Sequence, residues 1–307
     1  MSGSLRSQFS RCFLFMLFFV PYHLHAGEPR WFLTLLGGTG WMRFGDINDA
    51  LNGINQYYTD KAVAMQVQPQ AFRSRLEAFH AGMGADLEIR YSFNGRLALG
   101  FGAGYLRAAG NGNQLWIFEN DQTFDETCDH SVSALPVAVH LHYGIPLWSR
   151  FRMNASCGPV WCPVRLTDRR TLKNTFSYSG MFNITEFSAE GSGIGLQSAA
   201  GLEFRLSRSL SLVFEISART LTASHFKGSG SSDNPWYDLT SYLPDGRLFA
   251  FQRLHHVAGS DDTGNWYQEI ELLEEAPVDP EYFRNVRDAE VDLSGYGFRI
   301  GLSVGLF

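Results

Sequence analysis

The chain is poor in charge. Asp, Glu, Lys and Arg make up 18% of its 307 residues, against a usual share of about a quarter, and lysine is nearly absent. The net charge of −6 lacks the basic footprint that nucleic-acid binding needs. Long apolar runs are missing too. The one apolar run, Cys12 to Val20 (CFLFMLFFV), has nine residues, whereas a membrane-spanning helix needs about 20. That excludes a multi-span helical protein. It does not exclude a β-barrel, whose apolar residues are diluted by alternation. Cysteine is scarce, with four in the chain, and no CxxC or Cys/His spacing suggests zinc.

The short apolar run has a different reading. Arg6 and Arg11 precede it, and Leu24-His25-Ala26 ends in a small residue. This is the order of a secretory leader, so residues 1–26 are expected to be removed on export. Residues 27–307 then form one domain with three cysteines, Cys128, Cys157 and Cys162. Export permits one disulfide and leaves one thiol over.

What is abundant is glycine (31), phenylalanine (25) and alternation. Phe79, Ala81, Met83, Ala85, Leu87, Ile89, Tyr91 and Phe93 alternate with His80, Gly82, Gly84, Asp86, Glu88, Arg90 and Ser92. That is a strand signal. Asn94-Gly95 follows, the pair favoured in a type I′ hairpin turn. Leu97, Leu99, Phe101, Ala103 and Tyr105 resume the pattern. It recurs over 134–143, 151–158, 194–206, 210–219 and 296–306, and the opening strand runs from Trp31 to Trp41. The expected count is eight. Turns near residues 94, 147 and 208 are short. Connections near 44–77, 108–131, 166–190 and 225–292 are long. Short turns on one side and long loops on the other are the mark of an up-and-down outer-membrane barrel.

The polar parity decides between a soluble β fold and lipid. It carries Gly, Ala and Ser with scattered charges, which is wrong for a watery surface. Small residues suit a narrow lumen, and Asp86, Glu88, Glu203 and Glu215 can pair there with Arg90, Arg152, Arg205, Arg219 and Arg299. Near balance is required, because an unpaired buried charge is costly. Aromatics near strand ends fit interfacial girdles. The expectation is an all-β, eight-stranded antiparallel up-and-down transmembrane β-barrel with long extracellular loops and a short helix in the first loop.

On these features the chain resembles small eight-stranded outer-membrane barrels of the OmpA/OmpX-like type, over 27–307. The resemblance implies residence in the outer membrane of a Gram-negative bacterium, reached by signal-peptide-dependent export. It implies contact with outer-membrane lipid and lipopolysaccharide, and a monomer. It further implies that the barrel assembly machinery reads the final strand, through Phe298, Ile300, Leu302, Val304, Leu306 and Phe307. Phe307 departs from the pattern, since its parity is opposite to that of Leu306. With the last strand ending the chain, no peptidoglycan-binding domain is expected. No cofactor is implied.

Individual sites carry competing readings. Asp46 is a helix N-cap candidate, and Ile47, Leu51, Ile54 and Tyr58 fall at helical spacing; such a helix plugs the barrel mouth or binds a partner. In the last loop, segments 248–254 and 266–273 can pair as strands. Its Asp261, Asp262, Glu269, Glu271, Glu274 and Glu275 suit a hard cation or a solvated loop. A hydrolase or acyltransferase needs a base beside a nucleophile. His130 and Ser131 are adjacent in a strand and point oppositely, so no catalytic residue is assigned. His140 and His142 share the lumen face; they join its polar network, with metal ligation as the alternative. Cys128 and Cys162, both read near the outer rim, are the expected disulfide, and Cys157 is read as lipid-facing. Function is expected in the extracellular loops, by contact with an unidentified ligand or in envelope structure. A small-solute channel and a lipid-modifying enzyme are the alternatives.

Overall fold

The structure is a computed structural model and describes residues 30–64, 72–76, 78–117, 123–174, 181–234, 239–255 and 264–306. Residues 1–29, with the expected leader, and Phe307, Asp261 and Asp262 lie outside the described residues. The strands are β1 (Arg30–Met42), β2 (Phe72–Leu76), β3 (Ala81–Ser92), β4 (Leu97–Ile117), β5 (Thr123–Ala134), β6 (Val137–Pro146), β7 (Phe151–Asn174) and β8 (Met181–Arg205), followed by β9 (Leu210–Asn234), β10 (Leu239–His255), β11 (Asn265–Leu273), β12 (Phe283–Asp288), β13 (Val291–Asp292) and β14 (Gly295–Gly305). One helix, α1 (Asp46–Ala64), follows β1.

The pairings are antiparallel and close on themselves. Leu35 of β1 faces Leu87 of β3, and Leu87 faces Ala103 of β4. β4 pairs with β6 below (Phe101↔Val139) and with β5 above (Gly110↔His130). Both then pair with β7 (Leu141↔Cys157 and His130↔Asp168). β7 pairs with β8, β8 with β9, β9 with β14, and β14 returns to β1 (Ile300↔Gly37). A sheet closed this way has no open edge. The chain is a β-barrel.

Among the described residues there are fourteen strand segments, so the expected count of eight is not confirmed as such. The segments read as long loops are largely strand. β4 runs to Ile117, and β7 and β8 pair out to Asn174↔Met181. The 225–292 segment contains the top of β9 with β10 to β13. Within it the expected pairing holds, with Leu248 opposite Leu272 and Leu254 opposite Trp266. At the other end the connections are four residues each, 93–96, 147–150 and 206–209. The first is not a type I′ turn, because Gly95 has no positive φ. Instead Asn94 Oδ1 accepts the N–H groups of Arg96 and Leu97 at 2.8 and 2.6 Å.

The side-chain pattern divides the barrel into two storeys. In the lower storey the outer face is apolar: Leu35, Leu87, Ile89, Leu99, Phe101, Met153, Leu202, Ile216, Ile300 and Leu302 are exposed. Aromatic pairs collect at its lower rim, Trp31–Tyr91 at 4.9 Å and Phe151–Phe204 at 4.8 Å between centroids. Trp41, Tyr105, Trp161 and Tyr296 stand exposed at its upper rim. Above them the pattern inverts with no slip in strand parity. On β4, Leu106 and Ala108 turn inward and are buried, while Arg107 and Asn111 face out. On β7, Cys162, Val164 and Leu166 are buried, and Arg165 and Arg169 face out. On β9, Leu221 and Ala223 are buried, and Thr220 and Thr222 face out. Directly above the ring the barrel is therefore apolar inside and polar outside.

Its core also holds Phe44, Ile47, Leu51, Phe79, Leu248, Val291 and Leu293, all buried. The first comes from the turn into α1 and the next two from its start. Phe44 and Gly45 have φ of 61° and 55°, a left-handed bend that folds the chain back over the bore. Phe44 and Phe79 stack at 4.9 Å. Asp46 is not a simple N-cap. It is the first helical residue, and its carboxylate receives both terminal nitrogens of Arg287 and, at 2.8 Å, the N–H of Glu290. Asp46→Ala removes three hydrogen bonds at a buried position, worth about 1–3 kcal/mol. The expected result is faster amide hydrogen exchange across α1, with the protection of β1 and β14 unchanged.

Candidate functional site

Two polar regions lie inside the barrel. The first is the lumen of the lower storey. Arg299 donates to Asp86 Oδ2 at 2.8 Å and to Glu215 Oε1 through its other terminal nitrogen. Glu88 Oε2 lies 2.9 Å from His140 Nδ1 and 3.1 Å from His142 Nε2. Gly100, opposite His140 in the register, leaves room for this group, since a Cβ there would meet His142 Nε2 at 2.7 Å and the Glu88 carboxylate at 2.8 Å. Arg90 lies 3.8 Å from Glu203 and 5.0 Å from the Phe32 ring centroid. Asn154 Nδ2 donates to Glu203 at 2.9 Å. Arg152 lies against Gly144, where a side chain would collide with the guanidinium. Arg219 Nε donates to the Leu293 carbonyl at 3.3 Å.

Ten of the eleven residues anticipated for the lumen thus face it: Asp86, Glu88, Arg90, His140, His142, Arg152, Glu203, Glu215, Arg219 and Arg299. Arg205 does not. It is exposed beside the 206–209 turn, because β8 has reached the rim there. Two small cavities of about 60 and 40 Å³ lie in the lumen. The Phe298, Ile300, Leu302, Val304 and Leu306 side chains of the final strand line up exposed on the outer face.

The second region is a vestibule of about 510 Å³ in the upper storey, lined by Glu126, Asp168, Arg170, Tyr242, Glu271 and neighbouring strands. Its floor was only partly legible. Glu126, Cys128 and His130 share one parity of β5, and Asp168 and Arg170 share one parity of β7. The register sets His130 against Asp168 and Cys128 against Arg170. Cys128 Sγ is 3.2 Å from Asp168 Oδ1 and 3.5 Å from His130 Nδ1. Arg170 Nε donates to Asp168 Oδ2 at 2.8 Å. Phe79 meets the His130 ring edge-on at 4.7 Å. Burial is the main cause that pushes the Cys128 thiol well above its ordinary value, and the Asp168 carboxylate adds to it. Burial likewise raises Glu126, opposed by Arg170 and by a hydrogen bond from Tyr58. Above the floor, Tyr267 Oη donates to Asp60 Oδ2 at 2.7 Å. Burial first and that carboxylate second raise its phenol to about 12.

The expected Cys128–Cys162 disulfide is corrected: Cys128 and Cys162 are separate thiols. Cys128 is not on a loop that folds back. It lies opposite Arg170, eight residues further along β7 than Cys162, or about 26 Å at strand rise, and a disulfide needs Cα atoms within about 7 Å. His130 and Ser131 face opposite sides. His130 is buried, whereas Ser131 Oγ bonds Thr167 Oγ1 on the outer face at 2.7 Å. Among the described residues, two groups bring three metal-ligating atoms within 4.8 Å of one another: Glu88–His140–His142 and Cys128–His130–Asp168.

No family model and no curated protein matches the chain. Among solved structures it is similar to the outer membrane protein OprG from Pseudomonas aeruginosa, at 9% identity and a TM-score of 0.37, over 92% of this chain and 96% of that one.

Proposed function

We propose that the protein is an integral outer-membrane β-barrel that conducts no solute and acts through the folded storey it presents outside the cell. In this reading eight staves cross the membrane, with β5 and β6 counted as one because they share the gap between β4 and β7. The four-residue connections face the periplasm, and β4, β5 and β7 to β12 rise above the outer leaflet. The observation that carries the reading is the inversion of pattern at Tyr105 and Trp161. An outer face that is apolar below a ring of aromatics and polar above it matches a change of solvent from lipid to water. Trp31 to Trp41 spans eleven residues, the length a tilted strand needs to cross.

The small-solute channel is the second reading. Against it stand the apolar core over the bore and the filled lumen beneath. A lipid-modifying enzyme is weaker, because His130 and Ser131 lie on opposite faces of the sheet. The partners of the leading reading are outer-membrane lipid and lipopolysaccharide at the belt, the assembly machinery at β14, and a ligand in the vestibule; the barrel acts as a monomer.

Planar-bilayer recording on the purified, detergent-extracted protein tests the reading. The expected result is insertion without steady conductance; a stable conductance level would establish the channel instead. Heat-modifiable gel mobility together with outer-membrane fractionation is expected, and a protein recovered from the soluble periplasm would end the membrane reading.

A further inference from the structure

The vestibule floor goes beyond that reading, since it would exist in a soluble barrel as well. It brings a thiol, an imidazole and a carboxylate to one point. Cys128 Sγ stands 3.5 Å from His130 Nδ1 and 3.2 Å from Asp168 Oδ1. A tetrahedral zinc ion with a sulfur ligand at about 2.3 Å and nitrogen or oxygen ligands at about 2.0–2.1 Å holds them about 3.3–3.6 Å apart. The two sulfur distances fall within about 0.1 Å of that range, and the three ligand atoms all lie within 4.8 Å of one another.

A second observation lies one inward-facing position further along the same strands. Gln114 has no exposed surface, yet neither its amide nitrogen nor its amide oxygen has a partner. Glu126, paired opposite it, has one unpartnered oxygen. Gln114 faces inward from β4 two residues beyond Gly112, the pairing partner of Cys128. Buried polar atoms left without partners cost about 1–3 kcal/mol each. Gln114 and Glu126 leave polar atoms beside the group that a metal-bound water could satisfy. Charge argues the same way. Glu126 and Asp168 face the Arg170 guanidinium, so the floor holds two carboxylates against one cation. The vestibule opens onto Glu126, Asp168 and Arg170, which gives an ion a route in.

We infer that Cys128, His130 and Asp168 bind one divalent ion of the zinc class, with the fourth position directed toward Gln114 and Glu126. Hard cations such as calcium and magnesium take oxygen ligands and are poorly served by sulfur and nitrogen. On binding, a sulfur–metal bond forms and the thiol proton passes to bulk water. The lumen group Glu88–His140–His142 is the competing site in the same molecule. It contains no sulfur, and that separates the two.

The test uses the full-length protein in detergent micelles with Co²⁺ alone as the probe. Thiolate-bound cobalt gives a sulfur-to-metal charge-transfer absorption, which imidazole and carboxylate do not. The expected result is one equivalent bound, with that absorption present and Zn²⁺ displacing it. Cys128→Ser should abolish it, Asp168→Asn should weaken binding at least tenfold, and His142→Ala should change nothing. Absence of the absorption in the unmodified protein, or its survival in Cys128→Ser, would overturn the assignment. Cobalt bound without that absorption, lost in His142→Ala and retained in Cys128→Ser, would overturn it in favour of the lumen. Should Cys128→Ser fail to fold by heat-modifiable mobility, alkylation of the unmodified protein decides. Zn²⁺ is expected to slow labelling of Cys128, read peptide by peptide, and EDTA to restore it; no protection would overturn the proposal.

Discussion

Leu87→Arg is expected to destabilise the barrel by about 2–4 kcal/mol in lipid vesicles, the cost of an arginine at the bilayer midplane of a β-barrel. Leu87 faces out from the middle of the lower storey and is 47% exposed. Its register neighbours are Leu35 and Ala103. Asn111→Arg also places an arginine on an exposed outer face, but six residues beyond Tyr105 of the aromatic ring. There the expected change is under about 0.5 kcal/mol, as for an ordinary watery surface. On the inward parity the order reverses above the ring. Leu166 is 3% exposed among apolar neighbours, and Leu166→Arg buries an unpaired charge, which is costly. Urea unfolding in vesicles, followed by tryptophan fluorescence, measures all three. In a water-soluble barrel, Leu87 would be one more surface residue. A neutral Leu87→Arg would therefore end the membrane reading.

The same inversion explains what the sequence hid. Alternation is read as two faces, each in one environment. From Leu97 to Tyr105 the apolar set occupies the odd positions. At Leu106 it moves to the even ones, although β4 continues to Ile117. A period-two reading sees the strand end there and a long loop begin. The step from Trp161 to Cys162, Val164 and Leu166 on β7 hides the rest of that strand in the same way. The error passed to the site. With 128 placed on a loop, Cys128 seemed free to fold back onto Cys162. As a residue of β5 it is fixed opposite Arg170.

Parity within a strand was enough where partners are adjacent staves. Arg299 and Glu215, both read as lumen residues, sit opposite each other on neighbouring strands and pair. The vestibule floor needed register between β5 and β7, which alternation does not supply. The signal that was present is the shared parity of Glu126, Cys128 and His130 in a segment taken for loop. Arg205 misled for the opposite reason. It continues the alternation of β8 into the turn, where the lumen has already ended.

Arg299→Ala is expected to cost about 3–5 kcal/mol, the loss on breaking a buried ion pair from one side. Arg299 joins two carboxylates that stand on different sides of it. Glu215 is on the neighbouring β9, and Asp86 is on β3, beyond β1. Between them Gly38 of β1, the register partner of Arg299, presents no side chain, so the guanidinium reaches past β1 to β3. Arg299→Lys keeps the charge but has a single nitrogen for two acceptors, so it should recover only part of the loss. The triple variant Arg299→Ala, Asp86→Asn, Glu215→Gln removes the stranded charges and should recover most of it. Urea midpoints in vesicles give the ladder. The magnitude depends on the lumen being closed and nearly dry. In a water-filled channel the two carboxylates would stay solvated, and Arg299→Ala would cost under about 1 kcal/mol, as for an exposed pair. A small loss together with a conductance step in planar bilayers would thus overturn the sealed-barrel reading from two independent directions. A large loss without conductance ties the stability of the ring to the same network that blocks its bore.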